Sequence, residues 1–302
     1  MRLSKNQLAV VALITANMIW GAAPPIFKWA LHDIHPFTLA FLRFFIPALI
    51  LLPFCWKKLH LKPNVFFKMI IINLFGITIN IIFFFQGLLR APSINAALIG
   101  SSAPVFIILF SLFFLKEKPR KKLITGSLIG LLGVMLVLGA PLILDGKLAA
   151  VGNLFYLFAM FGSVIAILIL RGVAKKNDPV TLTFWSFLMG STGFIPFFVN
   201  EVHHYGFLPH LTYQGLTGLL FGIFFSSLTA YFLQTWAIKY LTAADVSVFT
   251  YIDPVVTILI AAPLLGEFPD FIFVVGSVMV VLGILMAEGR FHWHPLHLFL
   301  KK

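Results

Sequence analysis

Apolar residues occur along this chain in runs much longer than the alternating stretches of a half-buried sheet. Most runs continue for about 20 residues, the length that an α-helix needs to cross roughly 30 Å of hydrocarbon. A transmembrane barrel would instead show strands of about ten residues in which apolar and polar positions alternate. The pattern predicts ten membrane-spanning helices, over residues 8–30, 35–56, 69–89, 92–115, 122–144, 149–171, 179–198, 213–237, 242–265 and 271–289.

The composition excludes the other common classes of protein. Of the 302 residues, 60% are hydrophobic and 11% are charged, and the mean hydropathy is +1.01. A soluble domain carries about a quarter charged residues and has too little interior for this much apolar surface. A disordered chain requires low hydrophobicity. Because Cys55 is the one cysteine, a disulfide scaffold is excluded as well. We therefore expect an all-α membrane protein without a soluble domain.

The net charge of +12 is distributed unevenly between alternate loops. Eighteen of the 22 Lys and Arg residues fall on one side of the predicted spans, whereas Lys28, Arg90 and Lys147 fall on the other. By the positive-inside rule, this asymmetry predicts a multi-pass protein of the cytoplasmic (inner) membrane with both termini in the cytoplasm. The cations then anchor the topology at lipid headgroups, and no nucleic-acid partner is expected. Residues 290–302 are expected to lie as a tail on the inner membrane surface.

The second half of the sequence repeats the first. At a shift of 150 residues, 11 of 30 consecutive positions are identical without a gap, and a shift of 148 brings Gln86 onto Gln234. Repeated Pro, Glu, Gln and Gly at matched offsets are not explained by hydrophobicity alone. The clearest matches at 150 are Pro104-Val105 with Pro254-Val255, Leu115-x-Glu117-x-Pro119 with Leu265-x-Glu267-x-Pro269, Gly126-Ser127 with Gly276-Ser277, and Leu132-Gly133 with Leu282-Gly283.

Each half of the chain contains five predicted spans. Since five is odd, the second half enters the membrane upside down relative to the first. We therefore predict two inverted five-helix repeats, over residues 8–144 and 149–289, followed by the tail. Inverted repeats of this kind are the architecture of secondary transporters, in which two halves tilt around a central site.

Short motifs add a family resemblance. They are Trp20-Gly21 in the first span, Arg43 in the second, and the duplicated Pro-Val, Leu-x-Glu, Gly-Ser and Leu-Gly pairs. With two times five spans, the chain resembles EamA-type members of the drug/metabolite transporter superfamily over about residues 8–290. The resemblance implies export of a small metabolite, often an amino acid or a related compound, through a cavity between the halves.

Two charged residues inside the predicted spans are the first candidates for substrate binding or ion coupling. Asp253 is expected at the middle of the ninth span, where a carboxylate needs a cavity or a partner. The following Pro254 frees a backbone carbonyl one turn earlier. Asp253 either contacts a substrate ammonium, carries a coupling proton, or has a structural role. Arg43 either snorkels to the membrane surface, pairs with Asp253, or binds a substrate carboxylate through two hydrogen bonds.

Uncharged polar and amphipathic side chains form a second group of candidates. Because an apolar segment does not keep an amide without a partner, each amide either joins two helices or lines the path. An aromatic ring deep in a span either packs against other helices or holds a ring or cation of the substrate. The candidates are Gln86, Gln234, Trp20, Asn17, Asn80, Tyr156 and Tyr251. A stripe of small residues at Gly126, Gly130 and Gly133 predicts close helix packing within each half, or a homodimer face.

No motif of an enzyme is found. The sequence lacks GxxxxGK[ST], GxSxG and HExxH, and Asp253 is the one acid expected deep in a span. An intramembrane lipid-processing enzyme would need a second deep acid or histidine. A non-transporting membrane protein, such as a scaffold or receptor, would need longer loops. The sequence therefore favours a secondary transporter with no catalytic residue, no metal and no cofactor, whose partners are a small-molecule substrate and the lipid bilayer.

Overall fold

The computed structural model describes residues 4–106, 121–143, 147–208, 211–241, 246 and 249–288. The described residues form helices and no β-strand, which confirms the all-α prediction. In chain order the α-helices are α1 (Lys5–Ala30), α2 (Pro36–Cys55), α3 (Pro63–Asn73), α4 (Asn80–Leu88), α5 (Ser93–Ser101), α6 (Lys121–Ile143), α7 (Lys147–Ala174), α8 (Pro179–Thr192), α9 (Ile195–Tyr205), α10 (Tyr213–Leu220), α11 (Ala230–Ala237), α12 (Ile252–Leu265) and α13 (Phe271–Glu288).

Several of these helices are long and apolar enough to cross a membrane. Within the described residues, five continuous helical segments qualify, and a sixth is formed by α8 and α9, which meet at a bend of 51°. Shorter apolar helices occupy the other four predicted positions, so the chain is a multi-pass helical membrane protein. The five segments are Lys5–Ala30, Pro36–Lys58, Pro63–Leu88, Lys147–Ala174 and Tyr213–Ala237.

Three helices differ in extent from the predicted spans. The third helix begins at Pro63 rather than at residue 69, because Lys62 is extended and proline is favoured in a first turn. The seventh span continues past residue 198, after the bend, to Tyr205. Inside the ninth predicted span a helix begins at Ile252, after a 3₁₀ turn over Phe249–Tyr251, so Asp253 lies in the first turn of this helix.

The start of the helix beside Asp253 has a clear physical reason. Pro254 follows it as the third residue of α12, where a missing N–H removes no intrahelical hydrogen bond. The proline therefore starts a helix instead of kinking one. The residues before this turn, 242–245 and 247–248, lie outside the described residues, as does Glu117.

The two halves of the chain interleave. The most extensive helix contacts all join the first half to the second, and they pair α6 with α13, α1 with α12, α2 with α8, and α4 with α7. The small residues of α6 illustrate this: a Cβ at Gly133 would lie 2.7 Å from the carbonyl oxygen of Gly276 on α13. The glycine stripe therefore packs across the halves, and the prediction of packing within each half is wrong.

Two π-helical segments occur at matched positions of the halves. Residues Leu74–Ile79 join α3 to α4, and residues Phe221–Thr229 join α10 to α11. The shift of 148 that aligns the glutamines carries 74–79 onto 222–227, inside the second segment. Such segments interrupt regular helix hydrogen bonding and are frequent at functional sites.

The bundle has two chemically distinct ends. We name the first the Glu267 end, and it contains residues 31–35, 89–92, 206–208 and 266–270. The second is the lysine-rich end, which contains residues 56–62, 175–178 and 238–241. Helices α2, α5, α7, α10 and α13 begin at the Glu267 end.

Candidate functional site

A cavity of about 240 Å³ lies between the two halves. It is smaller than the roughly 300–1,000 Å³ pockets that hold drug-sized ligands, so it suits a small metabolite. Most of its wall is apolar, and the polar lining residues are Trp20, Arg43, Asn73, Asn80, Ser163, Ser186, Ser226, Tyr231, Gln234, Thr235, Thr250 and Asp253.

Arg43 lies in the wall of this cavity and is only 2% exposed. Its guanidinium carbon stands 4.4 Å from the ring centroid of Phe27 and 4.7 Å from that of Phe44. Its Nη2 donates to Ser226 Oγ at 3.3 Å, whereas the buried Nε and Nη1 have no hydrogen-bond partner among the described residues. This burial contradicts the snorkelling interpretation.

Asp253 lines the same cavity from the first turn of α12. At this position the positive end of the helix dipole stabilises a carboxylate. Its buried Oδ1 has no hydrogen-bond partner among the described residues, and no ion pair joins it to Arg43. The pairing of the two residues considered from the sequence is therefore not found.

The backbone around Asp253 is held by close contact with α1. A Cβ at Gly21 would lie 2.8 Å from the carbonyl oxygen of Asp253 and 2.8 Å from Val256 Cβ, so only glycine fits without a shift. Thr257 Oγ1 lies 2.6 Å from Gly21 O and 2.8 Å from Asp253 O, and its hydroxyl donates at this contact. The position of the carboxylate thus depends on the packing of two backbones.

Three further sequence candidates also line the cavity. Trp20 Nε1 donates to Ser226 O at 3.1 Å. Asn80 Nδ2 lies 2.6 Å from Ala159 O and 2.8 Å from Ser163 Oγ, so it joins the first π-helical region to α7. Gln234 lines the wall from α11. The structure brings these residues together with Arg43 and Asp253; a contact with substrate stays a prediction for each.

Four candidates lie away from the cavity lining. Gln86 Oε1 accepts from Arg90 Nη1 at 2.6 Å, and Asn17 Nδ2 donates to Leu13 O at 2.8 Å within α1. Tyr156 is buried, with its hydroxyl 3.3 Å from Pro92 O. Tyr251 belongs to the 3₁₀ turn before α12. The repeat-matched glutamines therefore have different surroundings, because one holds a neighbouring arginine and the other faces the cavity.

A model of the EamA-like transporter family matches residues 7–139 and, a second time, residues 150–288. The chain belongs to this family. The two matches cover the two halves around the cavity, and the resemblance seen in the sequence is confirmed. Within the EamA-like fold, the described residues contain no group of three or more His, Cys, Asp or Glu side chains able to hold a metal ion.

Relatives of this EamA-like chain are spread over archaea, bacteria and plants. An uncharacterized transporter of Archaeoglobus fulgidus is 25% identical over 301 residues, covering 95% of this chain and 99% of the relative. The uncharacterized transporter YetK of Bacillus subtilis is 25% identical, over 94% and 88% of the two chains. A chloroplastic WAT1-related protein of Arabidopsis thaliana is 24% identical, over 91% and 68%.

A solved crystal structure shares the fold of this EamA-like chain. It has a TM-score of 0.64 and 20% sequence identity, and the match covers 95% of this chain and 99% of the other. At this identity the likeness shows the fold alone.

Sequence reasoning missed Ser226 as a member of the EamA-like site. Its hydroxyl is the hydrogen-bond partner of Arg43, and its carbonyl oxygen accepts from Trp20. One signal was available, since the shift of 148 aligns Ser226 with Thr78, a second hydroxyl in an apolar span. Asn73 also lines the cavity, and its buried Oδ1 has no hydrogen-bond partner among the described residues.

Proposed function

We propose that the protein is a secondary transporter that exports a small zwitterionic or amphipathic metabolite, such as an amino acid or a related compound. The observation that carries this proposal is the presence of two opposite charges in the wall of one cavity, a buried Arg43 and a half-buried Asp253 whose Oδ1 is buried. Among the described residues, two nitrogen atoms of Arg43 and one oxygen atom of Asp253 have no hydrogen-bond partner. A charge removed from water is costly unless it is paired, so a ligand with complementary charges would stabilise both walls of the cavity.

The chemistry of the two walls specifies the ligand. A guanidinium binds a carboxylate through two parallel hydrogen bonds, and a carboxylate binds an ammonium group. The apolar remainder of the wall, which includes Phe27, Phe84 and Ile81, suits a side chain or short carbon skeleton. One molecule carrying both charges therefore satisfies the cavity. Coupling through a proton on Asp253 and facilitated diffusion both fit this arrangement.

Transport by alternating access follows from the proposed topology. We propose ten spans in two inverted repeats, residues 8–144 and 149–289, with both termini and the tail 290–302 on the cytoplasmic side of the inner membrane. The eighteen-to-three distribution of cations and the duplicated family match support this topology. The Glu267 end is then the outer end. The π-helical segments beside the cavity are natural points for bending.

The test is a paired metabolite profile. Wild type, Asp253→Asn and the control Asp270→Asn are expressed at matched membrane levels, and medium and cytosol are compared by mass spectrometry with added amino-acid pools. Asp270 is an exposed acid that accepts from Phe273 N of its own helix at 2.6 Å. We expect one compound to move to the medium with wild type and Asp270→Asn, and at least about tenfold less with Asp253→Asn, as for the loss of one charged bond.

Equal export by Asp253→Asn and wild type would reject Asp253 as part of the path. No exported zwitterion with wild type, across the supplied pools, would reject the proposed substrate class.

A further inference from the structure

Helix α5 begins at the Glu267 end with a cap that comes from the other half of the chain. Glu267 Oε2 accepts from the backbone N–H and the hydroxyl of Ser93, both at 2.6 Å, and from Ile94 N at 3.3 Å. The first N–H groups of a helix have no partner inside it, and a carboxylate is favoured there by the helix dipole. Here that carboxylate is 174 residues away in the sequence.

Two more helices at this end are capped in the same way. For α2, Glu201 accepts from Phe37 N at 3.1 Å and from Thr38 N at 2.7 Å. For α10, Asp33 Oδ2 accepts from Gly215 N at 3.0 Å and from the hydroxyl of Thr212. The bond from Thr212 is the main reason that the pKa of the Asp33 carboxyl is below its usual range. Each of the three caps crosses between the halves.

Lys28 strengthens the first of these caps. Its Nζ lies 2.7 Å from Glu267 Oε1 and 2.8 Å from Ala91 O, and the Glu267 side chain is only 13% exposed. The cluster of Glu267, Lys28 and Ser93 ties together the ends of α12, α1 and α5. Those three helices supply Asp253, Trp20 and Gly100 to the cavity wall.

The lysine-rich end is built differently. The carboxylate described there, Asp178, accepts from Thr181 N at 3.0 Å and so caps its own helix α8. Trp185 Nε1 donates to Leu59 O at 3.0 Å across the halves. In the part of this end that the structure describes, no carboxylate joins the two halves.

We infer that the three crossed caps form the gate that closes the Glu267 end of the cavity, with Glu267, Lys28 and Ser93 as its latch. Moving the halves apart at this end exposes the first turns of α2, α5 and α10 together. The N–H groups of these turns and the carboxylates that cap them must then form hydrogen bonds with water instead. Opening therefore costs several charged hydrogen bonds at once, and the gate stays shut until binding tilts the halves. This inference rests on the proposed transport function.

The gate is tested with a cysteine reporter inside the cavity. Gly100 lines the cavity, and a Cβ there would meet nothing within 4 Å, so Gly100→Cys in a Cys55→Ser background fits without a shift. A membrane-impermeant maleimide is added to vesicles of each orientation. A second reporter, Phe268→Cys, identifies the vesicles that present the Glu267 end, since Phe268 is 71% exposed in that loop.

We expect Glu267→Ala to speed labelling of the cavity cysteine from the Glu267 end by roughly tenfold or more, the effect of losing one charge-assisted bond. Lys28→Met should speed it less, and the double variant should match Glu267→Ala because both residues act in one cluster. Asp270→Asn, three residues from Glu267, should label like the parent.

Equal labelling in Glu267→Ala, Lys28→Met and Asp270→Asn would overturn the inference. If Glu267→Ala does not fold, the result for Lys28→Met decides. The labelling rate needs no substrate, so the two proposals fail separately. Faster labelling of Glu267→Ala without any exported compound supports the gate and rejects the proposed function. Impaired export by Glu267→Ala with unchanged labelling rejects the gate and leaves the proposed function standing.

Discussion

Arg43 and Asp253 line one cavity, but they are held in place by different means. Side chains surround Arg43: its guanidinium carbon lies within 4.4, 4.7 and 6.0 Å of the ring centroids of Phe27, Phe44 and Phe85. The aromatic faces stabilise the cation, which forms no ion pair among the described residues. Asp253 is held by main-chain geometry instead, because its helix begins where α1 presents Gly21. The cation depends on the chemistry of its neighbours, and the carboxylate depends on a backbone contact.

The largest expected effect is that of substituting Arg43 in the wall of the cavity. Arg43→Lys keeps the charge but loses the planar fork and its stacking on the rings. We expect the transport rate at low substrate concentration to fall roughly ten- to a hundredfold, as for one or two charge-assisted bonds. The control is Arg90→Lys, since Arg90 also stacks on a ring, that of Phe155 at 5.3 Å, but lies outside the cavity lining. Equal transport by the two lysine variants would show that the fork at position 43 is not used.

The second prediction concerns the backbone contact between Gly21 and Asp253. Gly21→Ala adds a Cβ at 2.8 Å from Asp253 O, so α1 and α12 must separate. Overpacking of this kind costs about 1–3 kcal/mol, and it displaces the carboxylate as well. Thermal unfolding in detergent should show the loss. Gly172→Ala on α7 is the control: nothing lies within 4 Å of its Cβ, and we expect a gain of about 0.5–1 kcal/mol. A Gly21→Ala protein as stable as the control would contradict the close approach.

The smallest expected effect comes from the hydroxyl at the same contact. Thr257→Val removes the donor to Gly21 O while keeping the shape of the side chain. We expect a loss of about 1 kcal/mol in the free energy of unfolding, the usual value of one buried hydrogen bond. Thr183→Val is the matched control, because the buried Thr183 hydroxyl bonds to Pro179 O within α8. If both variants lose the same free energy of unfolding, the hydrogen bond between α1 and α12 contributes no more to stability than the bond within α8.

The composition and the duplicated motifs were enough to predict the helical class and the family, and to single out two charged residues, Arg43 and Asp253, as candidates. They were not enough for the partners of those charges. Ser226 and Arg43 are 183 residues apart in the sequence, and no local pattern connects them. Pro254 shows a second limit, because the same residue is compatible with kinking a helix and with starting one. Sequence symmetry is a third, as Gln86 and Gln234 align but have different neighbours.

The crossed caps also have a consequence for how the protein is made. Synthesis proceeds from the N-terminus, so α2 and α5 enter the bilayer before Glu201 and Glu267 exist. Until those acids arrive, the first turns of both helices are finished only by water or lipid headgroups. The first half of the nascent chain therefore has two helices with uncapped N-termini, and acidic residues of the second half cap them. Both caps can therefore form only after residues 201 and 267 have been synthesised.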